Sequence, residues 1–165
     1  MRTSYERNQP RVTIKRTMQT PPVQRDLALL LPSFRVKIDL LVANMITRGF
    51  KPKVWETMRT PQRASYLASI GKSKNGPLSM HCLGAAADFV DAEKLWDNPA
   101  FFKALGEEAT KLHLTWGGDW DGNPATREDF VDSPHVQAIP VAAQNRFRAL
   151  RSVEARELFI QRIHP

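Results

Sequence analysis

Cysteine is almost absent from this sequence, since Cys82 is the only one in 165 residues. A single cysteine cannot form an intrachain disulfide, so a disulfide-stapled scaffold is excluded. Long apolar runs are missing too: the first candidate, residues 27–31, is closed by Pro32. A membrane span needs about 20 apolar residues and a signal peptide needs its own apolar core. We therefore expect no membrane insertion, and synthesis in the cytoplasm without a signal peptide.

What remains is the composition of an ordinary globular protein, with 42% hydrophobic and 25% charged residues. The length suits one domain, for which the usual size is about 100–200 residues. A chain of this size also buries a substantial core. We therefore predict a single domain over residues 1–165.

The net charge of +7 is unevenly distributed: residues 1–53 carry +8, residues 54–139 carry −4 and residues 140–165 carry +3. We accordingly distinguish a basic N-terminal arm, residues 1–32, and a basic C-terminal helical segment, residues 141–165. Basic ends favour a polyanionic partner, and nucleic acid is the first candidate. The chain has no recognition-helix pattern, aromatic RNA platform or zinc-finger spacing, so we expect no nucleic acid. Two explanations remain for the basic ends: attraction to anionic cell-envelope polymers, and solubility alone.

The hydrophobic pattern predicts short strands and helices that do not alternate as βαβ units, which indicates an α+β fold. In the first helix, Ser33 is the expected N-cap, Gly49 ends it, and Val36, Leu40, Leu41 and Ile46 form its apolar stripe. Strands are predicted at residues 12–14, 53–59, 85–90, 114–116 and 135–137, and helices at 34–48, 61–70 and 99–112, before two basic helical segments.

Candidate metal ligands occur in two segments, one with His81 and Asp88 and the other with His135. Two imidazoles and one carboxylate make three protein ligands. A catalytic zinc uses this number, and its fourth position stays open to water. His81 and Asp88 are seven residues apart, which would place them on opposite faces of one strand. We therefore predict a turn between them at Gly84, because glycine adopts the backbone angles that tight turns need.

A histidine taken alone is more often a surface or core residue than a ligand. We interpret His113 and His164 in this way. The combination of His81, His135 and nearby carboxylates favours a metal site instead.

The same residues resemble a known family. Ser-x-His-x-x-Gly-x-Ala-x-Asp at residues 79–88, Trp-Gly-Gly-Asp-Trp at 116–120 and Asp-x-x-His at 132–135 are similar to zinc D,D-peptidases related to the vancomycin-resistance dipeptidases and carboxypeptidases. The similarity covers roughly residues 33–140 and is greatest to the phage endolysin branch, whose members are L-alanyl-D-glutamate endopeptidases. It implies an α+β fold shared with the hedgehog signalling domain, a small antiparallel sheet flanked by helices.

The resemblance also implies site residues. Zn²⁺ is expected on His81, Asp88 and His135, with Asp132 as the catalytic carboxylate that moves the proton. Arg59 is expected to stabilise the oxyanion or to hold a substrate carboxylate, with an ion pair to Glu56 as the alternative.

Further roles are expected around this centre. Ser79, Gln62 and Trp120 are expected to contact the substrate. Asp119 is expected either to orient a ligand imidazole or only to form the turn after Gly118.

Other residues are interpreted structurally, or depart from the family. Cys82 is interpreted as a small buried hydrophobe, and Trp116 as part of the core. Val136 and Gln137 follow the last histidine, where family members often carry an aromatic residue and an acid.

The function that follows is a zinc-dependent peptidoglycan endopeptidase that cuts stem peptides at L-Ala–D-Glu. It is expected to act on the cell wall or periplasm after release from the host cytoplasm, as a monomer. The alternatives are a D-Ala-D-Ala carboxypeptidase or dipeptidase, and a non-catalytic hedgehog-like zinc-binding module. Asp132 argues against the module, because pure binding needs no acid three residues before the metal histidine.

Overall fold

The computed structural model describes residues 20–123, 125, 128 and 130–163. The strand predicted at residues 12–14, most of the basic arm, and His164 lie outside the described residues. The described helices are α1 (Pro32–Thr47), α2 (Pro61–Ser69), α3 (Pro99–Lys111), α4 (Val141–Ala149) and α5 (Val153–Ile163), and the strands are β1 (Pro52–Glu56), β2 (Ala86–Asp91), β3 (Thr115–Trp116) and β4 (His135–Gln137).

The four described strands form one sheet in the order β1-β2-β4-β3, and every neighbouring pair is antiparallel. This confirms the predicted α+β fold with a small antiparallel sheet flanked by helices. The central pair sets the register that matters for function, because Asp88 of β2 lies directly opposite His135 of β4. Glu56, at the end of β1, lies opposite Asp88 on the other side.

One face of the sheet packs on α1 and α3. Ala87, Phe89 and Val136 point into this core, because side chains alternate between the two faces along a strand. The opposite face therefore carries Asp88, His135 and Gln137. The helical side of the core is formed by residues of α1 and α3: Phe34, Ile38, Leu41, Met45, Phe101, Phe102, Ala104, Leu105 and Ala109.

The apolar stripe predicted for α1 is wrong in most of its members. Leu41 is buried, but Val36, Leu40 and Ile46 are 61%, 50% and 59% exposed. The buried positions are 34, 38, 41 and 45, which follow the 3.6-residue repeat of a single helix face. The predicted set was spread around too much of the helix circumference to face one core.

The start of α1 also differs from the prediction. The helix begins at Pro32, and no side chain caps it, so Ser33 is not the N-cap. Proline is tolerated here because the first helical position needs no N–H donor. At the other end Gly49 has a φ of +83°, which confirms its predicted role in ending the helix.

The strand predicted at residues 53–59 is shorter, because β1 ends at Glu56 beside an irregularity in the register. Beyond it the backbone finds other partners: Thr57 donates to the carbonyl of Gln24, and Arg59 to that of His81. This departure from the sheet brings residues 57–59 against the segment that carries His81.

A second apolar cluster lies under α4 and joins that helix to the segment before β2. It contains Met80, Ala85, Ala86, Ile139, Ala143 and Phe147. Among the helices that the structure describes, none is long and apolar enough to span a bilayer.

Candidate metal centre

His81 lies on a short 3₁₀ turn, Met80–Leu83, and not on a strand. Gly84 ends this turn in the left-handed conformation, with a φ of +65°, and sends the chain into β2. The predicted turn between His81 and Asp88 is therefore confirmed. A Cβ on residue 84 would meet the backbone of Leu29 and Leu31, so only glycine suits the position.

The three predicted ligands meet on the open face of the sheet. Asp88 and His135 are cross-strand neighbours, and such pairs project on the same face. Asp88 Oδ1 lies 3.1 Å from His135 Nδ1 and 3.2 Å from His81 Nε2. The two imidazole nitrogens are 3.1 Å apart.

This triangle of donor atoms fits zinc. Tetrahedral zinc with N and O ligands at about 2.0–2.1 Å requires its ligand atoms to be about 3.3–3.4 Å apart. The observed separations of 3.1–3.2 Å are close to that value without any rearrangement. The donors, two imidazoles and a carboxylate, are also those of catalytic zinc sites with an open fourth position.

Hydrogen bonds orient both imidazoles. His81 Nδ1–H donates to the Thr57 carbonyl at 2.7 Å, and His135 Nε2–H donates to Gln137 Oε1 at 3.1 Å. These bonds leave the lone pairs of His81 Nε2 and His135 Nδ1 facing Asp88, as metal binding requires.

The structure does not bring Asp119 to either imidazole, so the predicted orienting role is wrong. Its backbone N–H donates to the Trp116 carbonyl and closes the turn, which was the alternative interpretation. Its carboxylate instead lies near those of Asp121 and Glu128, with oxygen atoms within 4.8 Å of one another. Burial raises the pKa of the Asp119 carboxyl.

Asp88 and His135 shift each other's pKa. Burial raises the pKa of the Asp88 carboxyl, but the neighbouring His81 and His135 lower it by more, so the group stays ionised. Burial lowers the pKa of His135, yet its bond to Asp88 and that charge raise it overall. The site thus holds an ionised carboxylate beside the two imidazoles.

The triangle lies in the wall of a cleft of about 640 Å³. Of the predicted catalytic and substrate-binding residues, Arg59, Ser79, Trp120 and Asp132 also line this cleft. Lining residues that the sequence analysis did not single out include Trp55, Arg63, Leu67, Lys72, Lys74, Trp96, Gln144 and Arg148.

Arg59 is held beside the ligands by a buried carboxylate. Its Nη2 donates to Glu56 Oε2 at 2.6 Å and lies 3.9 Å from Asp88 Oδ2. Arg63 Nε donates to the other oxygen of Glu56. The ion pair foreseen as an alternative therefore exists, but it is buried and positions Arg59 in the cleft. Among the described residues, none accepts a hydrogen bond from the buried Nε of Arg59.

Asp132 lies where the chain enters β4. Its backbone N–H donates to the Gly117 carbonyl at 2.7 Å, and its own carbonyl accepts from His135 at 2.9 Å. Burial raises the pKa of its carboxyl above the ordinary value, with the charge of Asp88 adding to the shift and His135 opposing it. A half-buried acid with a raised pKa, in the same cleft as the ligands, is suited to proton transfer.

Gln62 is exposed on the first turn of α2 and does not line the cleft, so its substrate contact stays a prediction. The next residue, Arg63, faces inward instead and pairs with the buried Glu56. Trp120 does line the cleft, with its ring 5.3 Å from that of His135.

The remaining residues of the sequence motifs have structural surroundings. Trp116 packs against the main core, and its indole N–H donates to the Ser133 carbonyl. Cys82 is half-buried, with Sγ 3.9 Å from the Gly76 carbonyl and outside the ligand triangle. His113 is exposed.

Comparisons with known proteins show what this chain is similar to. A family model described as D-alanyl-D-alanine carboxypeptidase matches residues 72–138, the part that contains all three candidate ligands. The crystal structure of Serratia marcescens L-Ala D-Glu endopeptidase ChiX is similar with a TM-score of 0.53 and 22% identity, over 72% of this chain and 87% of that chain. No curated protein matches the sequence significantly. The family model thereby confirms the resemblance seen in the sequence, and the structural likeness confirms the fold.

Proposed function

From this similarity to the D-alanyl-D-alanine carboxypeptidase family and to the endopeptidase fold, we propose that the protein is a zinc-dependent peptidase of peptidoglycan stem peptides. The observation that carries the proposal is the ligand triangle of His81, Asp88 and His135. It lies in one cleft with an acid, Asp132, and a buried guanidinium, Arg59. These are the groups that hydrolysis of an amide bond needs.

Each group has a distinct task. Zinc held by the three ligands would supply a Lewis acid for the scissile carbonyl and would lower the pKa of a water to about 7. Asp132 would accept the proton that the attacking water loses and return it to the leaving amine. Arg59, which lines the cleft, would bring a fixed positive charge to the oxyanion or to a substrate carboxylate.

We propose the L-Ala–D-Glu bond as the one cleaved, in agreement with the activity of the structural neighbour. Acidic stem peptides also suit the cationic side chains around the cleft, among them Arg63, Lys72, Lys74 and Arg148. The description of the matching family favours a second candidate, removal of terminal D-Ala.

Digestion of purified peptidoglycan by the zinc-loaded protein separates these candidates. We expect mass spectrometry to find new D-Glu amino termini on the released peptides, with the glycan strands left intact. Release of single terminal alanines would assign the carboxypeptidase activity instead, and new reducing sugar ends would contradict a peptidase. A sample treated with chelator serves as the control and should yield neither product until zinc is added back.

The biological setting is also part of the proposal. We propose an endolysin, made in the host cytoplasm and released to the cell wall, where it causes lysis as a monomer. Exposed arginines on and beside α4 and α5, such as Arg146, Arg151 and Arg162, support attraction to anionic envelope polymers. Salt-dependent binding to purified wall polymers, with no shift of DNA or RNA in a gel, would test this attraction.

A further inference from the structure

His135 is connected to helix α4 through two buried glutamines. Gln137 Oε1 accepts the Nε2–H of His135 at 3.1 Å. The amide nitrogen of Gln137 donates to the Ile139 carbonyl at 2.7 Å and to Gln144 Oε1 at 3.2 Å. Gln137 is 1% exposed and Gln144 is 6% exposed, so water does not replace these partners freely.

This arrangement allows one orientation of the Gln137 amide. Both of its N–H groups have acceptors, the Ile139 carbonyl and Gln144 Oε1. Rotating the amide by a half-turn would place its oxygen against the Ile139 carbonyl and its NH₂ against His135 Nε2–H. Buried polar groups without partners are costly, so the observed orientation is strongly preferred.

We propose that Gln137 and Gln144 are positioning residues for the metal ligand His135. By accepting from Nε2–H, Gln137 keeps the lone pair of His135 Nδ1 directed at Asp88 and His81. Gln144 keeps the amide of Gln137 in that orientation, so α4 is part of the metal centre although it supplies no ligand. The inference rests on the proposed zinc site, and it assigns a role to a position where the family often has an acid.

Each ligand histidine donates its N–H to a neutral oxygen, whereas metal-binding histidines often donate to a carboxylate. His81 is oriented by a backbone carbonyl and His135 by an amide, so neither imidazole gains a second negative partner. Asp88 is therefore the one anionic ligand of the triangle. A carboxylate at position 137 would make His135 a more basic ligand.

The test measures zinc affinity by competition with a chromogenic chelator, using the full-length protein. Gln137→Leu removes the acceptor at similar volume and should weaken zinc binding about 10–100-fold, the usual effect of losing such a partner. Gln161→Leu makes the same chemical change at an exposed position of α5 and should have no effect.

A spectroscopic readout accompanies the affinities. In the zinc-loaded protein, ¹⁵N shifts should report His135 bound through Nδ1, with a slowly exchanging Nε2–H. That proton should exchange faster in Gln144→Leu, which removes one of the two acceptors that hold the amide of Gln137 and leaves His135 and Gln137 unchanged. If Gln137→Leu does not fold, Gln144→Leu still tests the positioning role.

The outcomes separate this inference from the proposed function. If wild-type protein binds zinc and Gln137→Leu binds it equally well, the positioning role is refuted while the metal site stands. The same conclusion follows if Gln144→Leu leaves the Nε2–H exchange unchanged. A wild-type protein that binds no zinc would refute the metal site, and this inference with it.

Discussion

Replacing Asp132 by asparagine separates catalysis from metal binding. The side chain keeps its size, and the backbone bonds of residue 132 to Gly117 and His135 do not involve the carboxylate. The three ligand atoms contact one another without Asp132, so zinc should remain bound. Only the capacity to accept a proton is lost.

The expected loss of rate follows from that single change. Removing a general base typically costs 10²–10⁴-fold, which corresponds to about 3–5 kcal/mol in the activation free energy. The fold should not be weakened, because burial raises the pKa of this carboxyl and the ionised form is therefore disfavoured in the folded state. At neutral pH the uncharged asparagine removes that cost, so the free energy of unfolding in the zinc-free protein should stay the same or rise.

The assay combines three measurements on the same preparation: zinc content, denaturant unfolding with chelator present, and the initial rate on peptidoglycan. For the wild type, the acidic limb of the rate profile should lie above the pKa of a free aspartate. For Asp132→Asn that limb should disappear with the activity. Near-normal turnover by a zinc-loaded Asp132→Asn protein would refute the assignment and would make another cleft residue the base.

Three further substitutions test other parts of the site. Asp88→Asn should lower zinc affinity by more than about tenfold in chelator competition, since it removes a ligand, and an unchanged affinity would contradict the triangle. Arg59→Lys keeps the charge but loses the planar fork, so kcat should fall about 10²–10³-fold if the group meets the oxyanion. A raised KM at constant kcat would assign it to a substrate carboxylate instead. Gly84→Ala should lower the free energy of unfolding by about 2–4 kcal/mol, from left-handed strain plus a backbone clash. The control Gly49→Ala shares the positive φ but meets no atom, so it should cost only about 1–2 kcal/mol, and equal losses would exclude the clash.

Much of the candidate site was predictable because it depends on local rules. The seven-residue spacing of His81 and Asp88 required a turn, and Gly84 provides it. Alternation along a strand placed Ala87 and Phe89 in the core and Asp88 on the open face. Pro61 suits the first position of α2, and the side-chain oxygen of Asn98 caps α3 by accepting from the Phe101 N–H, so those helices begin as expected.

The predictions failed where long-range packing decides which face of a helix is buried. The buried face of α1 depends on where α3 and the sheet lie, so Val36 and Leu40 are exposed although they are apolar. Similarly, the rotation of α2 turns Arg63 into the cleft, a residue that the sequence analysis did not single out.

The sequence by itself determined which residues offer ligand atoms, because metal chemistry selects few residue types and short spacings restrict how the backbone connects them. The partners of those ligands were decided only by the tertiary structure. The Thr57 carbonyl, Gln137 and the Glu56 carboxylate reach their positions through strand register and the packing of separate elements. A hydrogen bond depends on the position of each atom to within a few tenths of an ångström, and the order of residues along the chain does not specify distances of that kind.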